Sequence, residues 1–421
     1  MPAAQGKRAA PVGKRKLGEA AARRGAREQL RPPDAAQLGW LASQDALAFM
    51  WHFANGSTSA RPYLGGAAAA CVKDAFDPYT QPEVVGCSLY SDTDGGAAVH
   101  FDLRQGEGGG GGGGGGGDGA ALLEAAWLAV AKLLCGEAQA VLVVPNAQLV
   151  LRTLLLVLPE LRPAATLEGL LCDAGALDVS RWVDPVVVAW LCEPDLPEEQ
   201  QRLAALYAKH LPAAAAEAAT RAAEKDGEAE LRAAWQLLEQ LYQSSARFSP
   251  PEQFSRVVAR EMKVAQLLAG MELTGMAVHL PTLKQPLAAV EARQAVLTRL
   301  AERSLGRAIN LASPQQVSEA LYVTLRLPKP QGGEAAAKAG HGSTADAALQ
   351  ALVRSSPQCP LPAWVLEYRE VSKLRTAFLE PYIERVVDGP RGARLFCTWQ
   401  QMATGTGRLS ARAPNLQQVP L

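Results

Sequence analysis

No run of 18 apolar residues occurs in the 421-residue sequence; the best candidate, around Leu149–Leu158, is broken by Arg152. A helix needs about that many to cross hydrocarbon, so no membrane partner is expected. There is also no C-x-x-C and no Cys/His cluster. The cysteines (Cys71, Cys87, Cys135, Cys172, Cys192, Cys359, Cys397) are scattered and odd in number. That pattern points to a reducing compartment and small buried thiols, with neither a disulfide framework nor a zinc site. Net charge is lacking as well, with 42 Lys+Arg against 42 Asp+Glu. The balance conceals a segregation: residues 1–31 carry +7, residues 32–248 carry −14 and residues 249–421 carry +7. Blocks of alternating sign suggest separate tasks, and a polyanion would prefer the first and last. What is present is 48% apolar residues, enough for a folded protein, over a length that suggests two to three domains.

Residues 1–36 are rich in Ala, Arg, Lys, Pro and Gly and nearly free of large apolar side chains. Such a segment buries no core, so a disordered basic tail over residues 1–39 is expected. Lys14-Arg15-Lys16 reads as a nuclear-import patch. An organelle transit peptide and a plain solvated tail stand as alternatives.

The acidic middle, residues 40–248, alternates strand and helix patterns. Ala46–Phe53 reads as a first strand. Glu83–Tyr90 and Ala97–Leu103 read as a hairpin across Ser91–Gly96, whose Asp-Gly suits a tight turn. Ala120–Cys135 reads as helix, Ala140–Val144 as a buried strand, Gln148–Leu158 as helix and Trp182–Leu191 as an apolar helix. This predicts an α/β layer fold. Gly108–Gly117 is an unbroken glycine run and reads as a loop tip without phosphate-binding meaning. Residues 197–234, rich in Ala, Glu and Arg, suggest one long exposed helix. A two-metal nuclease would need carboxylates on its first strand. Ala46–Phe53 has none; Asp45 lies outside it, Asp92 and Asp94 sit in the turn, and Asp184 precedes Pro185 at a helix start. Each has a local structural reason to be there.

The basic end reads as helices over Pro250–Met271 and Leu283–Leu305, separated by Gly275 and an extended Ala277–Leu280. In Asn310–Gln316, Ser313 caps a helix, Pro314 takes the first position and Gln316 completes a capping box. Ser343-Thr344-Ala345-Asp346 is a second helix start, beyond a Gly/Pro/Ala loop at Pro328–Gly342. Free N–H groups at such starts bind phosphate, or the residues simply cap. Trp364–Val387 reads as a long helix with one apolar stripe through Trp364, Tyr368, Val371, Leu374, Phe378, Tyr382 and Val386, kinked or ended at Pro381. Beside the stripe, Arg369 and Lys373 form either a solvated surface or a basic ridge along a phosphate backbone. Arg394–Met402 alternates like a strand. Thr404–Ser410 is a glycine turn projecting Arg408, followed by Pro414–Pro420 with Asn415 and Gln417. Arg, Asn and Gln can reach base edges, and minor-groove acceptors are common to all base pairs.

The stretch T-G-T-G-R-L-S-x-R-x-P-N-L-Q-Q-V-P (Thr404–Pro420) resembles the T-x-T-G-R-L-S and P-N-L-Q-N-I-P motifs of family A DNA polymerases, those related to bacterial DNA polymerase I. Leu366–Arg375 is similar to that family's long thumb helix, and Ile309–Val317 and Ser343–Leu352 to its thumb tip. Met271–Val278 is similar to the step into the thumb. Val183–Asp195 resembles the exonuclease-like domain of the eukaryotic theta and nu branch. The resemblance implies that Arg408 bonds the minor-groove edge of the primer-terminal pair and that Asn415 and Gln417 contact the nearby template–primer. It implies that Arg369, Lys373 and Arg375 hold duplex phosphates, and that Asn310, Ser313, Ser343 and Thr344 touch backbone. Ala312 and Pro314 depart from the polar or basic residues of many relatives.

The family also implies DNA-directed DNA polymerase activity, a nucleotidyl transfer serving DNA replication, repair or translesion synthesis in the nucleus, with a chloroplast or mitochondrion as alternative. Its Mg²⁺-binding aspartates lie in D-Y-S-Q-x-E and H-D-E motifs, with a nucleotide-binding helix between them. Residues 1–421 contain none of these. The expectation is therefore a ribonuclease H-like 3′–5′ exonuclease-like α/β domain over 40–248, with the Ala-rich insertion 197–234. A helical thumb and the start of a palm follow over 249–421. Primer–template DNA is the expected partner, and no Mg²⁺ is bound by this chain. Deoxynucleotides are used only in a complete enzyme, and the chain alone has neither polymerase nor proofreading activity. A non-catalytic DNA-binding or regulatory module is the alternative, and an active 3′–5′ exonuclease a third reading. Oligomeric state is not legible.

Overall fold

A computed structural model describes residues 36–37, 43–53, 84–92, 97–103, 118–135, 140–161, 177–221, 227–329, 342–389 and 391–418. The basic tail (save 36–37), the centre of the Ser91–Gly96 turn and the Gly108–Gly117 run lie outside the described residues. The chain packs as two units, Met1–Thr274 with Thr398–Ala413, and Gly275–Cys397 with Pro414–Leu421.

The first unit is built on a five-stranded sheet of β1 (Ala46–Phe53), β2 (Val84–Ser91), β3 (Ala97–Asp102), β4 (Val141–Val143) and β5 (Trp182–Val183), ordered β3-β2-β1-β4-β5. β1 pairs antiparallel with β2 (Trp51 opposite Cys87) and parallel with β4 (Ala46 opposite Val141). β1 is central, and Leu47 through Trp51 are all fully buried. Burial on both faces explains a continuous apolar run without alternation. Helices α1 (Asp118–Leu134) and α2 (Ala147–Leu161) follow β3 and β4. The Trp51 ring lies 4.8 Å from Phe49 and 6.0 Å from Trp127 of α1.

Trp182–Leu191 is not one helix. Trp182 and Val183 form β5, and α3 (Pro185–Cys192) starts only after them. Pro185 has no N–H to continue a strand ladder and suits the first helical turn. The Asp184 carboxylate caps that helix through Val186 N (2.9 Å) and also accepts from Ala147 N at the start of α2 (2.8 Å). Burial pushes this carboxyl up to about 6, against the pull of those backbone donors.

Residues 197–234 likewise do not form one exposed helix. They contain a 3-10 turn (Glu198–Gln201), α4 (Leu203–His210), α5 (Ala213–Arg221) and the start of α6 (Gly227–Ser245). Pro212 breaks the run. Leu206, Tyr207, Ala219 and Leu231 are fully buried, because α6 lies on the sheet face carrying Ala48, Met50 and Tyr90. The apolar residues are too sparse among alanines to show this in the sequence. α7 (Pro251–Thr274) packs on α2 and buries Val258, Met262, Leu268 and Leu273. The packing division therefore falls at Thr274, beyond the expected boundary at residue 248.

In the second unit, β6 (Met276–Ala277), β7 (Val386–Gly389) and β8 (Gly392–Leu395) form an antiparallel sheet ordered β6-β8-β7. Its helices are α8 (Leu280–Leu305), α9 (Pro314–Ser318) running on as a π-turn (Glu319–Thr324), α10 (Asp346–Ser355), α11 (Leu361–Leu374), a π-turn (Arg375–Leu379) and α12 (Glu380–Glu384). Leu297, Leu311, Val317, Leu321, Leu349, Leu361 and Val365 make the core. The helix expected over Trp364–Val387 is thus interrupted and ends at Glu384. Pro381 cannot donate to the preceding turn, and a π-turn widens the helix just ahead of it. Val386 belongs to β7 instead of the helical stripe. The strand expected over Arg394–Met402 is two strands, β8 in this unit and β9 (Thr398–Gln400) in the first, where β9 pairs with β10 (Ser410–Arg412).

Candidate nucleic-acid interface

Of the ten residues singled out above, Arg408 lies in the first unit and the other nine in the second. Arg408 sits on the turn that links β9 to β10. Thr404 folds this turn on itself: its Oγ1 accepts from Arg408 N and donates to Arg408 O, both at 3.1 Å, and its carbonyl accepts from Gly407 N at 3.2 Å. Gly407 has φ +73°, the left-handed conformation that glycine adopts without strain. Arg408 is exposed, and among the described residues its guanidinium has no hydrogen-bond or ion-pair partner.

In the second unit the two helix starts meet on the α9 segment. Ser313 Oγ accepts from Gln316 N at 3.4 Å, and Asn310 Oδ1 accepts from Ala312 N at 2.9 Å. The expected capping box is altered: the Gln316 side chain accepts from Asn310 N (2.9 Å) instead of Ser313 N. Further along, Ser318 Oγ donates to Gly342 O (2.9 Å) and Tyr322 OH to Ser343 O (2.6 Å). Ser343 is not the cap of α10. That position is Ala345, and Ser343 Oγ instead accepts from Ala345 N at 3.3 Å. Asn310, Ser313 and Ser343 thus use oxygen acceptors on their own backbone. The hydroxyl protons of the two serines and the Asn310 amide protons can still donate to a phosphate oxygen.

The cations of α11 and of the π-turn that follows it divide. Arg369 donates to Thr344 O and to Asp346 Oδ1 (3.1 Å). Arg375 is held by Glu380 (2.6 Å), Glu291 (3.2 Å) and Gln294 Oε1 (3.2 Å). Lys373 is exposed and has no ion-pair partner among the described residues. The two arginines are held by acceptors of the helical unit, whereas Lys373 has none among the described residues. Asn415 Oδ1 accepts from Gln417 N (3.0 Å), and its carbonyl accepts from Tyr382 OH (2.7 Å), which anchors this segment to α12. A residue the sequence did not flag is Arg326, exposed at φ +52°; no sequence pattern announces an arginine in that conformation.

The carboxylates do not converge among the described residues. Asp45 is exposed, Asp92 is exposed and accepts from Tyr90 OH (2.7 Å), Asp184 is a buried cap, and Asp94 lies outside the described residues. Among the described residues, no three His, Cys, Asp or Glu side chains are grouped to hold a metal ion. Mg²⁺ therefore has no fitting donor set among them, since it needs several oxygens in near-octahedral array.

Residues 281–421 match the profile of the family described as DNA polymerase family A. A stretch of 161 residues is 37% identical to the thermostable DNA polymerase I of Thermus filiformis, covering 38% of this chain and 18% of that one. A stretch of 190 residues is 32% identical to DNA polymerase I of Geobacillus stearothermophilus, covering 45% of this chain and 20% of that one. The chain spans about a fifth of the length of these relatives. Among solved structures, the POL domain of Pol1 from M. smegmatis, in complex with a DNA primer-template and dNTP, shares the fold. Its TM-score is 0.60 at 20% identity, over 93% of this chain and 56% of that chain.

Proposed function

We propose that this chain is the duplex-gripping part of a family A DNA polymerase and binds primer–template DNA. The observation that carries this reading is Arg408: an exposed guanidinium, without a partner among the described residues, on a self-closed turn inside the region that matches the family. Lys373 and the donors of Asn310, Ser313 and Ser343 would add phosphate contacts in the helical unit. The expected test result is that Arg408→Ala weakens binding to a recessed primer end at fixed salt by about 1–3 kcal/mol, roughly 5- to 150-fold. An unchanged dissociation constant in a fluorescence titration would reject the assignment.

The finer reading is a theta/nu-like repair or translesion polymerase acting in the nucleus, supported by Val183–Asp195 and Lys14-Arg15-Lys16. The sheet order β3-β2-β1-β4-β5 supports a ribonuclease H-like, exonuclease-like unit. Its acid-free β1 supports the absence of proofreading. The described residues favour a second reading too, a DNA-binding module without catalysis, because they offer no metal donor set. In-line phosphoryl transfer needs such metals. Residues 1–421 are expected neither to extend a labelled primer with Mg²⁺ and deoxynucleotides nor to shorten it when deoxynucleotides are withheld. Products resolved on a gel, longer or shorter than the input, would refute this.

A further inference from the structure

The Arg408 turn is held from outside itself by the Trp190–Gln201 segment, more than 200 residues earlier in the chain and within the same unit. Trp190, in α3, donates from Nε1 to Thr404 O at 3.3 Å, the carbonyl that also closes the turn through Gly407 N. Gln201 donates from Nε2 to Met402 O (3.2 Å) and to Leu196 O (2.8 Å). Beyond the turn, Glu198 takes the Arg412 guanidinium with both oxygens, at 2.8 and 2.6 Å. Between these ties the backbone presses on the same segment, where a Cβ built at Gly405 would lie 2.4 Å from Asp195 Oδ1 and 3.1 Å from Pro194 O.

We propose that the α/β unit serves as the presenter of Arg408, with Trp190, Glu198 and Gln201 as positioning residues for primer-end recognition. The inference rests on the reading of Arg408 as a primer-end contact. Residues 405–409 are exposed. A turn of that kind would have to be ordered at the moment of binding. Tying it at Met402, Thr404 and Arg412 orders it beforehand, and pre-organisation of this sort is converted into affinity. It also gives an α/β layer whose central strand bears no carboxylate a task that needs no metal.

The test uses the full 421-residue chain and two labelled DNAs, a recessed primer–template and a dumbbell duplex closed at both ends. Trp190→Phe with Glu198→Gln removes the indole donor and the charged acceptor. It is expected to weaken primer–template binding about three- to tenfold while leaving dumbbell binding within about twofold. In an Arg408→Ala background the same pair is expected to cause no further loss, since groups acting through one side chain are non-additive. Equal loss on both DNAs, full additivity with Arg408→Ala, or no loss would overturn the proposal. An Arg408→Ala variant that binds like the parent would instead reject the reading beneath it. If circular dichroism shows the double variant unfolded, Glu198→Gln alone carries the same comparison, because that side chain is 58% exposed.

Discussion

Glu272→Ala is expected to cost the first unit about 3–5 kcal/mol, the usual result of removing one member of a buried ion pair. Glu272 is 1% exposed on α7 and accepts three hydrogen bonds, from Gln148 Nε2 (2.7 Å), Arg152 Nη1 (2.9 Å) and Trp399 N (2.8 Å). Burial pushes its carboxyl upward while the Arg152 guanidinium pulls the other way. Taking the carboxylate away removes a negative charge from beside a guanidinium whose side chain is only 12% exposed, and removes the acceptor of a strand N–H. Glu272→Gln keeps the shape and part of the bonding, so its loss is expected to be smaller. The measurement is the urea midpoint followed by tryptophan fluorescence. A midpoint for Glu272→Ala equal to the parent's would show that the cluster contributes nothing net.

Gly275→Ala is the second large effect, expected at about 2–6 kcal/mol from two causes. Gly275 has φ +62°, a conformation that strains any residue with a Cβ by about 1–3 kcal/mol. A Cβ there would also lie 2.6 Å from Phe396 Cδ1 and 3.1 Å from Leu395 O, and overpacking of this kind adds about 1–3 kcal/mol. Phe396 is 1% exposed and has little room to move. The site is the start of the second unit, where Arg394 Nη2 also holds Gly275 O at 3.0 Å. Far-UV circular dichroism is expected to show melting lowered by roughly 4–24 °C. A melt within a degree of the parent would mean that the backbone relaxes freely here.

Much of the local structure was legible because its cause is local. Ala46–Phe53 is a strand with the bounds its β-rich apolar run suggests, and Ser313 caps its helix as the Ser-Pro-x-Gln pattern predicts. Gly275 turns the chain out of α7 where a glycine at a helix end belongs. Trp182–Leu191 and residues 197–234 depart from the single helices expected because their apolar content is set by what packs on them. A two-residue strand or a helix of alanines leaves no clear period.

The candidate interface divides along the same line. The amino-acid order alone determined which side chains are chemically able to meet DNA, and that Thr404–Ser410 must turn tightly enough to project an arginine, because glycine and threonine act on their immediate neighbours. Only the tertiary structure decided which cations remain open: Arg369 is taken by a carbonyl and an aspartate 25 and 23 residues away, Arg375 by Gln294 at a separation of 81 residues, while Arg408 and Lys373 stay exposed. Only the tertiary structure, too, joined Trp190 to Thr404 and Glu198 to Arg412 across 214 residues. Periodicity carries information over a few residues, whereas a guanidinium finds its carboxylate through the path of the whole chain.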